Sequence, residues 1–203
     1  ARPQYGLRGV RGVYAASERV EAREFAAYVA SRDLSREFLG TCVFGVLRPV
    51  EHADIDQFVL ERQVDGQMKY DARPAPGVEH HYFVQFAEPA ADARLLGRDA
   101  AAWAEIVQTI DRAIEKHEPV LSGNVALPLA TGDTSANIWL LPVYRNGASI
   151  STPEERRAAL THVLFAPVAA AAPLAAIQRG FDGLMTIALY DGLNPNEAHP
   201  LAG

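Results

Sequence analysis

The strongest constraint on the fold is one continuous stretch, residues 99–144, which predicts a helix followed by two long apolar strands. Six apolar residues of the helix recur at three- and four-residue steps and form one stripe: Trp103, Ile106, Val107, Ile110, Ala113 and Ile114. Asp99 stands where an N-cap belongs, and the helix must stop by Pro119, which lacks the amide that another turn needs. The strands are predicted over 120–129 and 137–144. Pro142 must then lie at an edge, at a bulge or near the strand end.

Apolar periodicity also predicts a helix over residues 5–31, at the start of the chain. Gly6, Gly9 and Gly12 recur at every third position in its first half. Two interpretations of these glycines stay open. They weaken the helix, or they let another helix or chain approach closely.

Further strands are predicted over residues 41–47, where Pro49 ends the strand, and over 82–87, 161–168 and 184–190. Helices are predicted over 52–63, 153–159 and 169–179, and a short extended piece over 68–72. Thr152 and Glu155 have the spacing of a capping box, with Pro153 at the first helical position. Because the strands follow one another in hairpin-like order, the pattern indicates an α+β protein with an antiparallel sheet.

Composition excludes several classes of protein. The chain has 203 residues, of which 49% are hydrophobic, so it can bury a core. Its net charge of -6 argues against nucleic acid as a partner. The single cysteine, Cys42, allows no internal disulfide and no thiolate metal site, and a buried thiol is expected. No apolar run is long enough to span a bilayer and no signal-peptide pattern is present, so we expect membrane contact only through flanking segments.

No local motif indicates catalysis. His80 and His81 are adjacent, so on a strand they point to opposite faces and cannot hold a metal ion together. Both are expected near solvent or a turn. Ser122 lacks the glycine of a nucleophile elbow two residues before it. We therefore predict no catalytic residue, no metal and no cofactor.

One set of segments, in order and at its spacing, carries a resemblance over residues 6–192. These are Gly6-Leu7-Arg8-Gly9 with Ser17, Val20 and Glu24-Phe25, Tyr82-Phe83-Val84 to Glu88-Pro89, Leu96-Gly97-Arg98-Asp99, Val120-Leu121-Ser122, Leu141-Pro142-Val143-Tyr144, and Glu155-Arg156 to Phe165-Ala166-Pro167. The set resembles the CHASE family, extracytoplasmic sensor domains of receptor histidine kinases and of diguanylate cyclases or phosphodiesterases.

The resemblance implies an outside-facing, periplasmic domain between two transmembrane helices, with PAS-like lobes that follow a long N-terminal helix. That helix commonly serves as a dimer stalk, so a homodimer is expected. We accordingly divide the chain into a stalk-helix region (1–40), a membrane-distal PAS-like ligand-binding lobe (41–160) and a partial membrane-proximal lobe (161–203).

In the related plant receptors an aspartate at the start of the helix contacts the edge of an adenine-type hormone, and Asp99 occupies the matching position. Capping of the helix is the alternative role for Asp99, and the two roles are compatible. The resemblance implies a mostly apolar pocket walled by six further residues: Tyr82, Val84, Leu121, Trp139, Leu141 and Phe165. For each of these six, core packing is the alternative. The bulky pair Leu164-Phe165 is expected to narrow the pocket.

The resulting hypothesis is a noncovalent sensor of a small organic molecule, adenine-like or another small metabolite. It relays its signal to a cytoplasmic kinase or cyclase domain. The alternative is a ligand-free module for structure, dimerisation or protein docking. A filled core and an exposed apolar patch favour that alternative.

Overall fold

The computed structural model describes residues 3–38, 40–41, 43–89, 94–129, 132–168, 189–191 and 199–202. The helices are α1 (Pro3–Ala16), α2 (Ala22–Ala30), α3 (Leu34–Glu37), α4 (Ile55–Val64), α5 (Ala104–Lys116) and α6 (Pro153–Ala159). The strands are β1 (Phe44–Glu51), β2 (His80–Glu88), β3 (Val120–Leu129), β4 (Gly132–Tyr144), β5 (Leu160–Val168), β6 (Leu189–Asp191) and β7 (His199–Ala202). Short 3₁₀ turns, His52–Asp54 and Ala100–Ala102, precede α4 and α5.

Five strands form one antiparallel sheet in the order β2-β1-β5-β4-β3, which confirms the predicted α+β class. β6 and β7 pair with each other in a separate two-stranded sheet. β5 lies in the middle of the large sheet, between β1 and β4. β5, which begins at residue 160, where the predicted lobe boundary lies, pairs with β1 and β4.

The sheet is covered by helices on both faces. On one face the apolar stripe of α5, with Ile106, Ile110 and Ile114 fully buried, packs on a cluster that includes Val84 and Phe165. On the other face α1 and α2 pack on a second apolar cluster, from β1, β2, β4 and β5. Because both faces are covered, the central strands are apolar on both sides.

The N-terminal segment is not one long helix. The first helix has 14 residues, and residues 17–21 separate it from α2. Glu24 Oε2 accepts a hydrogen bond from the Glu21 amide at 2.9 Å, which gives α2 its own start. A Cβ atom at Gly6 would lie 2.4 Å from the Phe44 ring, and one at Gly9 would lie 2.4 Å from the Tyr28 hydroxyl oxygen. Those two glycines therefore permit close packing of α1 on β1 and α2.

Pro49 and Pro142 lie inside strands, each where one side of the strand is free. The prediction that Pro49 ends the first strand is wrong, because Pro49 pairs with Tyr82 within β1. β5 pairs only with residues 45–47 of β1, so the missing Pro49 amide faces no second strand there. Pro142 lies near the end of β4 as predicted, beyond the last residue that β3 pairs. Cys42 and the helix predicted over 169–179 lie outside the described residues, as does most of the strand predicted over 184–190.

The helix ends follow local capping chemistry. α5 begins at Ala104 with Trp103 as N-cap, and it ends at His117, whose φ of 55° is left-handed. α6 has the predicted capping box, in which Thr152 Oγ1 accepts from the Glu155 amide and Glu155 Oε2 accepts from the Thr152 amide. The extended piece predicted over 68–72 forms no strand. None of the helices in the described ranges is long and apolar enough to cross a bilayer.

Candidate functional site

Asp99 lies where three segments of the chain meet. Residues 97–98 run along β2, because the Gly97 amide donates to the Val84 carbonyl and the Val84 amide donates to the Arg98 carbonyl. The chain then turns at Asp99 into the 3₁₀ turn Ala100–Ala102 that leads to α5. Gly97 permits this path: its φ is +74°, and a Cβ there would lie 1.8 Å from the Asp71 carbonyl oxygen.

The Asp99 carboxylate is buried and accepts four hydrogen bonds. Oδ1 accepts from the Tyr82 and Ala101 amides, each at 2.9 Å. Oδ2 accepts from the Ala75 amide at 2.9 Å and from His81 Nδ1 at 2.6 Å. The side chain is 1% exposed. Because a carboxylate offers about four acceptor positions, no position remains for the N–H groups of a ligand. Asp99 thus caps the 3₁₀ turn and holds β2 and the residue 75 loop in place.

His81 connects this buried carboxylate to the surface. Its Nδ1 faces Asp99, and its Nε2 lies 3.1 Å from Nδ1 of His52, an exposed residue at the end of β1. The His81 ring also stacks on Phe83, with 5.3 Å between ring centroids. Both ring nitrogens are therefore occupied. We assign the proton to His81 Nδ1, because Asp99 Oδ2 is already an acceptor for a backbone amide.

A groove of about 600 Å³ opens beside His81. Tyr82 and His80 of β2 border it, and Asp111 of α5 and Arg157 of α6 are also among the residues that line it. Four carboxylates line this groove, those of Glu51, Asp54, Glu61 and Asp111. Two arginines, Arg48 and Arg157, also line it, and burial raises the pKa of Tyr82 so that its hydroxyl stays a hydrogen-bond donor. The volume is within the range of small-molecule pockets, about 300 to 1,000 Å³.

A separate apolar cavity lies between the sheet and α5. Its volume is about 30 Å³. Trp103, Ile106, Val84 and Phe165 are among the residues that line it. That volume corresponds to about one water molecule. A purine does not fit into this cavity without rearrangement of the surrounding side chains.

A sequence model of the CHASE domain matches residues 18–201, nearly the whole chain. The chain belongs to the CHASE domain family. CHASE domains are extracellular sensor domains of signalling receptors, and the family is not catalytic. Among curated proteins, none matches the chain.

The structure of this CHASE domain places the seven predicted ligand-binding residues in different environments. Val84 and Phe165 line the apolar cavity, and Tyr82 lines the groove. Trp139 and Leu141 pack on the opposite face of the sheet, with the cluster beneath α1 and α2.

Leu121 pairs with Trp139 across β3 and β4 and is 39% exposed. The predicted set therefore does not wall one pocket, and Asp99 is the buried organiser of the loops beside the groove.

His81 is the residue whose role sequence reasoning missed. The adjacent pair does point to opposite faces: His80 is exposed and its Nδ1 lies 2.6 Å from Glu51, whereas the His81 side chain is fully buried. The expectation that both lie near solvent or a turn is wrong for His81. Because its partner Asp99 is 18 residues away, no local spacing reveals the contact. Among the described residues, no group of three or more His, Cys, Asp or Glu side chains is arranged to hold a metal ion.

Proposed function

We propose that this CHASE domain is the periplasmic sensor of a transmembrane histidine kinase, diguanylate cyclase or phosphodiesterase, and that it binds a small organic molecule noncovalently. The family match over residues 18–201 is the observation that carries the proposal. A PAS-like description of the sheet unit is supported by its five antiparallel strands and by α5. This helix follows β2 and precedes β3 in the chain, and it covers one face of the sheet.

The groove beside His81 is the proposed ligand site. It is about twenty times larger than the apolar cavity, at roughly 600 Å³ against 30 Å³. The four carboxylates that line the groove are hydrogen-bond acceptors. They therefore favour a ligand that carries N–H donors, such as a heterocyclic amine or a cationic amine. The adenine-like class remains within this chemistry, but the contact comes from the groove carboxylates instead of Asp99.

The proposed mechanism is a shift between two arrangements of the domain. The residues that line the groove come from β1, the 3₁₀ turn His52–Asp54, α4, β2, α5, α6 and the start of β5. A bound ligand therefore favours the arrangement in which these elements hold their present spacing. α1 and α2 pack on the other face of the same sheet. A homodimer formed through the N-terminal helices would pass that bias to the output domain.

A screen by thermal unfolding tests the proposal. The probes are adenine-type cytokinins, primary amines, amino acids and carboxylates. A ligand at about a hundredfold above its dissociation constant adds about 2.7 kcal/mol of stability. For a domain of this size that raises the melting temperature by about 5 to 10 °C.

Two matched variants locate the site. Asp111→Asn removes a groove carboxylate that is half exposed and lies 3.7 Å from Arg157. Asp56→Asn removes an exposed carboxylate of α4 that does not line the groove. We expect the shift to fall with Asp111→Asn and to persist with Asp56→Asn. No stabilisation by any probe class, or equal loss in both variants, contradicts the groove as the site.

A second candidate function, a ligand-free docking or dimerisation module, is favoured by specific observations. The apolar cavity is nearly filled, and α4 together with the loop that follows it exposes Leu60 (62%), Val64 (85%) and Met68 (75%). Sedimentation of the wild type and of a Leu60→Ser, Val64→Ser double variant tests it. If the wild type is an oligomer and the double variant is a monomer, docking through this patch is supported. If the wild type is a monomer, self-association is refuted.

A further inference from the structure

A second polar cavity, of about 370 Å³, lies on the sheet face that α1 and α2 cover. Its lining brings together Tyr14 of α1, Arg48 of β1, Arg62 of α4, Gln85 of β2 and His162 of β5. The seven residues predicted from the sequence contribute none of this lining. Arg48 and Glu61 line both this cavity and the groove, so the two sites are neighbours around the end of β1.

Three residues that line the cavity carry buried polar atoms without a partner. Within the part of the chain that the structure describes, Tyr14 Oη, Gln85 Oε1 and His162 Nδ1 make no hydrogen bond. Tyr14 is 7% exposed and Gln85 is 3% exposed. Most buried polar groups in proteins are hydrogen-bonded, because an unpaired buried group costs stability. Three such atoms around one cavity indicate a site built for a polar molecule.

The charges around the cavity favour an anionic group beside Arg48. Arg48 donates to the Thr161 carbonyl at 3.2 Å and makes no ion pair with any described residue. Arg62 is paired with Asp65 at 3.0 Å, but its Nε is buried and has no partner. The carboxylates of the lining, Glu18 and Glu61, belong to exposed residues.

Two buried groups of the lining, Tyr14 and His162, are uncharged. Burial raises the pKa of Tyr14, so its hydroxyl remains a donor. Burial, and then the positive charges of Arg48 and Arg62, lower the pKa of His162 to about 3. The ring is therefore neutral at physiological pH, and it adds no further positive charge to those of Arg48 and Arg62.

We propose that this cavity binds a small carboxylate that also carries an N–H or O–H donor, that is, a hydroxy acid or an amino acid. The carboxylate faces Arg48 and accepts from Tyr14 Oη and Arg62 Nε, while the donor of the ligand pairs with Gln85 Oε1. Because Tyr14 belongs to α1 and Gln85 to β2, the bound molecule fastens the N-terminal helix to the sheet. The proposal does not rest on the proposed groove ligand, although Arg48 and Glu61 line both sites.

Isothermal titration calorimetry of the chain tests the proposal with five probes. L-lactate, L-malate, glycine and L-serine each combine a carboxylate with a donor, and acetate carries the carboxylate alone. At least one of the four is expected to bind at least about tenfold more tightly than acetate, because acetate leaves Gln85 Oε1 unpaired. The preference between hydroxy acids and amino acids identifies the donor that the site prefers.

Two variants remove polar groups from the cavity. Tyr14→Phe removes the hydroxyl, Gln85→Met removes the side-chain amide, and each is expected to weaken binding of the best probe by about tenfold or more. Neither variant removes a hydrogen bond of the Tyr14 hydroxyl or of Gln85 Oε1, so Tyr14→Phe should melt at the wild-type temperature or above it. Loss of binding in a variant that stays fully folded then reports on the cavity.

Asp111→Asn separates this site from the groove, because Asp111 lines only the groove. Binding of the best probe is expected to survive that substitution. Absence of binding by all four probes at about 10 mM overturns the proposal. Equal affinity in wild type, Tyr14→Phe and Gln85→Met also overturns it, as does loss of binding in Asp111→Asn alone.

Discussion

Replacement of Asp99 by alanine should destabilise the domain strongly, whether or not a ligand is present. The substitution leaves four donors without their acceptor: the amides of Ala75, Tyr82 and Ala101, and Nδ1 of His81. The site is 1% exposed, so water does not readily replace the carboxylate.

The magnitude follows from the number of bonds and their shared acceptor. Hydrogen bonds to a charged group contribute about 1.5 to 3 kcal/mol each. Because all four use one carboxylate, their contributions are not additive, and we expect a loss of about 4 kcal/mol in the free energy of unfolding. For a domain of about 200 residues, each kcal/mol lowers the melting temperature by about 2 to 4 °C, so the expected decrease is about 8 to 16 °C.

Denaturant unfolding of Asp99→Ala, Asp99→Asn and Asp111→Ala measures the effect. Asp111 is the matched control, because its carboxylate is half exposed and lies 3.7 Å from Arg157, a geometry that contributes at most about 1 kcal/mol. Asp99→Asn should also be destabilised, since the amide nitrogen of asparagine faces donors instead of accepting from them. An Asp99→Ala variant within about 1 kcal/mol of wild type refutes the organising role of Asp99.

Two further predictions concern the backbone and pH. Gly97→Ala should cost about 3 kcal/mol or more, because its Cβ would lie 1.8 Å from the Asp71 carbonyl oxygen, whereas Gly66→Ala, at φ +86° with open space around it, should cost about 1 kcal/mol. Equal unfolding free energies for these two variants would contradict the close approach at Gly97. The pKa of His162 is lowered to about 3, so the unfolded state takes up a proton below about pH 6.5 that the folded state does not, and stability falls as the pH falls from there toward 3. This fall should be shallower in His162→Gln, and parallel stability profiles from pH 7 to about pH 4 would show that the ring is not buried in its neutral form.

The elements predicted best from the sequence are those whose pattern is long and local. The apolar stripe of α5 and the capping box at Thr152 each depend on residues only a few positions apart in the sequence, and both match the structure. The two apolar strands after α5 are also present, with β4 longer at its start than predicted. The sequence pattern does not reveal the break near Ser17, because the apolar spacing continues across it. The Glu21–Glu24 hydrogen bond marks the start of the new helix.

The arrangement of the site was harder to predict, for two physical reasons. β4 and β5 are apolar on both faces, so alternation does not tell which residues share a pocket, and Leu141 and Phe165 face opposite layers. The acceptor role of Asp99 depends on partners as distant as Ala75 and His81, which only the folded chain brings together. The resemblance to the CHASE family singles out Asp99, and the hydrogen bonds of its carboxylate show which segments of the chain it joins.

Amide chemical-shift mapping of the ¹⁵N-labelled domain, titrated with the best compound of the screen, tests the sensor proposal most directly. The account predicts saturable shifts centred on Tyr82 and Asp111 at the groove, with smaller changes in α1 on the other face of the sheet. If no compound of any probe class changes the amide resonances of the wild-type domain, ligand sensing is contradicted. Changes confined to the exposed residues Leu60, Val64 and Met68 would favour the docking module.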